Sequence, residues 1–225
     1  MKDLIINQYA ALGDILFCIP IAKYFHELGY NINWYIDSAF LDINRHFDFI
    51  NFIDKKICKL DLDIMEHYEN DDYKYISLRK VINPLTCMKD KYSYVNLPLS
   101  LWKTLEWKTF KEKEDELYYD VLGLNDGEEY NFIVDTFSSK YKIDIKTNNL
   151  YKKIVMNKID GFTMLDWRKV IENAKTIHTV GTSINIIIEV MDTMATEYHL
   201  YARKPIEHDC NHYNYLFNKG YIEHV

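Results

Sequence analysis

An α/β fold of two Rossmann-like halves, the C-terminal one reduced, follows from three observations in this 225-residue chain. The apolar run Leu4-Ile5-Ile6 and a second run from Ile32 to Ile36 flank a segment of helical period, Asp14 to Leu28, as a βαβ unit requires. The polar stretch Asn125-Asp126-Gly127-Glu128-Glu129 carries the densest turn signal in the chain. After it, strand-length and helix-length segments alternate again, so the expected domains are 1–126 and 127–225.

In the first half, Leu4 to Asn7 reads as a strand. The following helix places Ile15, Ile19, Ala22 and Phe25 near one face and stops at Gly29, the residue suited to a helix C-terminus. Asn31 to Ile36 is the next strand, and Leu41 to Phe47 a short helix. Either Phe49 to Ile53 or Lys56 to Leu60 supplies a third strand. A helix over Leu62 to His67 and a strand over Tyr73 to Leu78 complete the alternation. Residues 79–110 lack a clear period, and the Leu101 to Trp107 segment reads as packing between the halves or acceptor-cleft lining. A charged helix runs from Lys108 to Leu122 and closes at Gly123. The second half reads as strands at Tyr130 to Val134, Lys153 to Met156, Thr176 to Val180 and Tyr198 to Tyr201. Helices are expected over Thr163 to Ala174 and Ser183 to Met194.

Composition narrows the function classes. The formal charge is −7 without a long basic run, so nucleic acid gains no global electrostatic attraction. No apolar run reaches the ~18 residues of a membrane span, and Met1-Lys2-Asp3 leads straight into strand residues. A cytoplasmic protein is expected. Cys18, Cys58, Cys87 and Cys210 show neither CxxC pairing nor ligand spacing with histidine, which argues against a disulfide framework and a zinc site. His208, His212 and His224 read as a solvated tail, and no metal ligand is expected.

Three loops that follow strands carry the chemistry. In Leu12-Gly13-Asp14, Gly13 permits a turn and Asp14 stands at a helix start. Its carboxylate either caps that helix or faces a bound hydroxyl as a general base. The second loop, Asp135 to Lys140, offers Thr136, Ser138, Ser139 and Lys140 beside backbone N–H groups, a set that suits a phosphate. The third is Gly181-Thr182-Ser183, where Thr182 and Ser183 precede a very apolar helix whose N-terminus favours anions. Without a ligand, an ordinary polar loop is the favoured account of the second, and simple capping accounts for the third. His178 lies in the strand before Gly181, as a core or positioning residue.

Taken in order, the three loops resemble the ADP-heptose:lipopolysaccharide heptosyltransferases of glycosyltransferase family 9. Leu12-Gly13-Asp14-Ile15-Leu16-Phe17-Cys18-Ile19-Pro20 is similar to the family's opening stretch, with Pro20 seven residues after Gly13. A proline there removes a helical hydrogen bond and should bend the helix, which makes the match specific. Asp135 to Lys140 resembles the family's hydroxyl-rich turn, and Val170 to Ser183 its helix–strand–turn. Gly181 stands where the family has an acidic residue, Ser183 where it has glycine and Ile186 where histidine is usual.

The resemblance implies a GT-B-like arrangement, with a cleft between halves, the acceptor on the N-terminal side and a nucleotide-sugar donor on the C-terminal side. It implies an inverting, metal-independent transfer without a cofactor. Asp14 would deprotonate the acceptor hydroxyl, while Ser138, Ser139, Lys140 and Thr182 stabilise the leaving diphosphate. The acceptor is not specified. Two alternatives share the fold: a non-catalytic nucleotide- or sugar-binding module, and a nucleotide-sugar epimerase or hydrolase. An Asp14→Asn chain is expected to melt like the wild type but to lose transfer.

Overall fold

The computed structural model describes residues 2–9, 11–59, 67–79, 87–137, 141–147, 150–203 and 216–224. The chain divides into two compact units, Met1–Lys108 and Thr109–Val225. This division falls before the charged helix, whereas the sequence places it after. The reason is local: Asp115 pairs with Lys169 at 2.5 Å and Glu114 with Arg168 at 3.6 Å, so the helix belongs with the second unit.

The first unit runs β1 (Lys2–Asn7), α1 (Leu12–Glu27), β2 (Tyr30–Ile36), a 3-10 helix (Ser38–His46), β3 (Ile50–Asp54), β4 (Tyr68–Glu69), β5 (Tyr73–Ser77) and α2 (Cys87–Ser93), then a 3-10 helix at Leu99–Thr104. Its sheet order is β3-β2-β1-β5-β4. The first four strands are parallel, and β4 closes the edge antiparallel to β5. Ile6 sits level with Trp34 on one side and Ile76 on the other, and all three are buried. A parallel sheet covered on both faces demands such apolar runs.

Helix α1 is buried without interruption from Ile15 to Ala22, as befits a helix apolar all round. It continues through Pro20. The proline cannot donate to the carbonyl four residues back, and one residue on from that carbonyl the Tyr92 hydroxyl donates to Phe17 O at 2.7 Å. Gly29 ends the helix with φ +90, a backbone that disfavours side chains. Trp102 packs on Phe17 with ring centroids 5.5 Å apart, which places it in the core of the first unit.

The second unit runs α3 (Lys111–Asp115), continuing as a π-helical turn over Glu116–Val121, then β6 (Tyr130–Val134), β7 (Thr136–Phe137), β8 (Tyr141–Lys142) and β9 (Lys152–Val155). A 3-10 turn at Met164–Trp167 leads into α4 (Arg168–Glu172), followed by β10 (Thr176–Val180), α5 (Ser183–Val190), β11 (Glu197–Tyr201) and β12 (Ile222–His224). The main sheet, β12-β11-β10-β6-β9, is parallel throughout. Strands β6 and β10 are buried at every position, so they form its centre.

Of the two candidates for the third strand, Phe49 to Ile53 coincides with β3, while Lys55–Ile57 is a 3-10 turn. The helix expected over 62–67 lies outside the described residues apart from His67. Helix α5 stops at Val190 rather than Met194. Lys219 caps it by donating from Nζ to Met191 O at 2.6 Å, and Met194 N donates instead to Glu172 O at 2.7 Å. Among the described residues no helix is long and apolar enough to cross a membrane.

Candidate functional site

Among the described residues, Asp14 follows the carboxyl end of β1, Thr136 that of β6, and Thr182 and Ser183 that of β10. In open parallel sheets this is the edge where helices begin and ligands bind.

In the first unit, Asp14 is not a cap. Helix α1 starts at Leu12, its N-cap is Ala11, and no side chain caps it. Leu12 and Gly13 already belong to the helix, so Asp14 falls in its first turn, where the helix dipole favours a carboxylate. Gly13 is therefore a helical residue and not a turn. Ala11 takes φ 65, unusual for a residue with a side chain. The Asp14 carboxylate is about a quarter exposed, at 26 %, and Oδ1 lies 3.1 Å from Lys91 Nζ.

Lys91 is 3 % exposed. It also donates to Gln8 Oε1 at 2.7 Å and to Leu78 O at 2.8 Å. Its three acceptors come from α1, the end of β1 and the end of β5. Sequence reading passed over Lys91, yet it left a signal. Cys87, Met88, Lys91 and Tyr92 are the buried residues of α2, a lysine on an otherwise apolar helix face. Beside this pair, burial pushes the Cys18 thiol up to about 12, with Lys91 opposing the shift and Asp14 adding to it. Cys18 is thus a packed thiol and not a nucleophile.

The same edge holds a second cationic group. Lys55 Nζ lies 4.2 Å and the Arg79 guanidinium carbon 3.8 Å from the centroid of the Tyr9 ring. Lys55 also pairs with Asp37 at 2.9 Å, which holds that carboxyl below its usual range.

In the second unit, Asp135 leads into a short antiparallel strand pair. Strands β7 and β8 pair Thr136 with Lys142 and Phe137 with Tyr141. Ser138, Ser139 and Lys140 lie outside the described residues. Thr136 donates its hydroxyl to Asp135 Oδ1 at 2.9 Å, and Lys142 pairs with Asp135 Oδ2 at 3.2 Å. The Thr136 hydroxyl proton is therefore committed within the protein.

At the end of β10, Thr182 is the extended N-cap of α5. Its N–H donates to Asn185 Oδ1 at 3.0 Å, and Asn185 Nδ2 donates to Thr179 Oγ1 at 2.8 Å. Thr182 and Asn185 form a capping box, and the buried Thr182 hydroxyl donates its proton to no acceptor among the described residues. Ser183 is the first residue of α5 and is half-buried. Gly181 does not take left-handed backbone. A Cβ there would meet only Leu200 Cδ1, at an ordinary 3.9 Å. Its carbonyl accepts from Arg203 Nε at 2.5 Å, and the Arg203 guanidinium carbon lies 5.6 Å from the Phe137 ring centroid. Arg203, absent from the sequence-level candidates, thus ties the β10 turn to β7.

His178 stands apart from these groups, in the interior of β10. Its Nε2 and Nδ1 lie 3.0 Å from Thr176 Oγ1 and 3.2 Å from the Tyr201 hydroxyl. It stacks on His199 at 4.2 Å, and His199 Nδ1 lies 2.9 Å from His224 Nε2. Burial, with His199, His224 and Lys153 nearby, pushes His178 down to about 4. His224 therefore belongs to a strand and a histidine ladder, not to a solvated tail. His208 and His212 lie outside the described residues. Among the described residues no three His, Cys, Asp or Glu side chains are placed to hold a metal ion.

No protein-family model and no curated protein sequence matches the chain. Solved structures do. A glycosyl transferase family 9 protein from Veillonella parvula aligns with TM-score 0.56 and 9 % identity over 99 % of this chain and 86 % of its own. The iron-containing dodecameric glycosyltransferase TibC from enterotoxigenic E. coli aligns with TM-score 0.53 and 10 % identity, over 89 % of this chain and 58 % of its own. The chain has the two-unit α/β fold of a family 9 glycosyltransferase structure along almost its whole length.

Proposed function

We propose that the chain is a glycosyltransferase that moves a sugar from a nucleotide-sugar donor to an acceptor hydroxyl, with inversion and without a metal ion. The observation that carries this reading is Asp14. It is a carboxylate at the ligand-binding edge of the first sheet that caps nothing and keeps partial exposure. In this reading one carboxylate oxygen takes the proton from the acceptor hydroxyl as the hydroxyl's oxygen bonds to the sugar's anomeric carbon and the bond from that carbon to the diphosphate breaks. Metal-free departure of a diphosphate needs fixed positive charge and hydrogen-bond donors around it. The N-terminus of α5, the Thr182 and Ser183 hydroxyls and Arg203 offer these, with Gly181 placing the turn. Ser138, Ser139 and Lys140, which follow Thr136 in the sequence, complete the proposed donor set. His178 supports β10 behind that edge. The acceptor's identity is open, and a cytoplasmic location accords with the reading.

A thermal-shift screen with nucleoside diphosphates and nucleotide-sugars at millimolar concentration, followed by mass spectrometry of released nucleotide, tests the proposal. At least one nucleotide is expected to raise the melting temperature, and its sugar conjugate to release it when acceptor is present. Release without any acceptor would point to a hydrolase. Binding without turnover would point to a non-catalytic module, and no shift by any nucleotide would contradict the donor site.

A further inference from the structure

We propose that Lys91 is the positioning residue for Asp14: it fixes one carboxylate oxygen and leaves the other to the ligand. The inference rests on the reading of Asp14 as the general base, but its geometry stands by itself. A lysine ammonium has three N–H donors, and Lys91 is supplied with three acceptors: Asp14 Oδ1, Gln8 Oε1 and Leu78 O. Two of these are neutral and come from the chain just after β1 and β5. They anchor the ammonium to the sheet edge independently of Asp14.

Burial makes this arrangement specific. An ammonium taken out of water is costly unless it is fully paired, so a 3 % exposed lysine has little freedom to leave its three partners. The carboxylate is the mobile member of the pair, being 26 % exposed and on a side chain with two rotatable bonds. Binding Oδ1 selects one orientation of that side chain before any ligand arrives, the preorganisation that a base within hydrogen-bond reach of its proton requires. Arginine could replace the charge but not the compact three-way geometry, because its donors lie in a planar fork.

The test is carboxylate labelling by a water-soluble carbodiimide and a small amine, read residue by residue by peptide mass spectrometry on the full chain. Exposed Glu112 serves as the internal reference. The reagent needs a free carboxyl oxygen, and Lys91 occupies one of the two. In Lys91→Met the Asp14 rate relative to Glu112 is expected to rise at least threefold, with Lys91→Arg falling between it and wild type. Lys91→Gln keeps donors for Gln8 and Leu78 while removing the charge. It covers the case in which the methionine chain fails to fold, and the same rise is expected. With any donor that the chain turns over, kcat should fall about tenfold while the donor KM holds, a split that general loosening of the fold would not produce.

An unchanged Asp14 labelling ratio in Lys91→Met or Lys91→Gln would overturn the positioning role. So would a rise shared equally by Glu112. If the ratio rises but no nucleotide-sugar is consumed by the wild type, the ion pair stands and the transferase reading falls. If turnover depends on Asp14 but neither the ratio nor kcat responds to Lys91, only the positioning role falls.

Discussion

Asp14 and Lys91 change what a single substitution means. From sequence, Asp14→Asn should leave the melting temperature alone, since asparagine caps a helix as well as aspartate does. In the structure the same change leaves the buried Lys91 ammonium with two neutral acceptors and no counter-charge. A cost of about 1–2 kcal/mol is expected, below that of a fully buried pair because Asp14 is partly exposed. Urea unfolding of the mutant against wild type measures it. Three residues earlier, Ala11 carries φ 65 at a helix start, which costs a residue with a Cβ of order 1 kcal/mol. Ala11→Gly is expected to raise stability by a few tenths of a kcal/mol, roughly 0.5 at most, net of glycine's greater freedom when unfolded. Equal or lower stability on denaturant unfolding would show that the local backbone is not strained. Neither effect could be read in the sequence. Asp14 is visible as a carboxylate near a helix start, but whether the helix begins at Leu12 or at Asp14 depends on where Ala11 turns.

At the scale of elements, the histidine ladder across β10, β11 and β12 gives a pH dependence of known sign. His178 is held neutral, with its folded value lowered to about 4 against an unfolded value near 6.5, and His224 is lowered as well, by burial and by His199. Between those two values the unfolded chain binds more protons, so stability falls as pH drops. Going from pH 7 to pH 5 should cost about 2 kcal/mol from His178. Buried Glu114, whose carboxyl burial pushes up, has the opposite slope. The His178→Gln difference therefore isolates the histidine: its unfolding free energy should be flatter over this window, and parallel curves would contradict the ladder. The elements most legible in sequence were β6 and β10, buried at every position, and β1 and β2, whose alternate residues Leu4, Ile6, Ile32, Trp34 and Ile36 are buried. Those missed were short or edge-bound. Strand β12 is three residues held largely by pairing with β11 and by the stack of His224 on Tyr201 at 4.2 Å. Helix α2 shows only two turns, and its one odd residue, Lys91, masks the apolar face.

For the whole molecule, the order of loops was the most informative part of the sequence, and the alignment over 99 % of the chain at 9 % identity shows why. The fold is retained while most side chains differ. What sequence order could not supply is the commitment of each polar group. Thr136 looked like a phosphate ligand, yet its hydroxyl proton is given to Asp135, whereas the Thr182 hydroxyl donates to no acceptor among the described residues. Arg203 became visible only when β11 was placed beside β10, since 22 residues separate it from Gly181. These distinctions sharpen the central claim to one partly exposed carboxylate, Asp14, held through Oδ1. The decisive measurement is the rate of nucleotide release from a donor that both wild type and Asp14→Asn bind with equal affinity. If Asp14 is the base, that rate falls by about 10²–10⁴ in the mutant while the thermal shift caused by the donor persists. Release at the wild-type rate from the mutant would contradict the assignment.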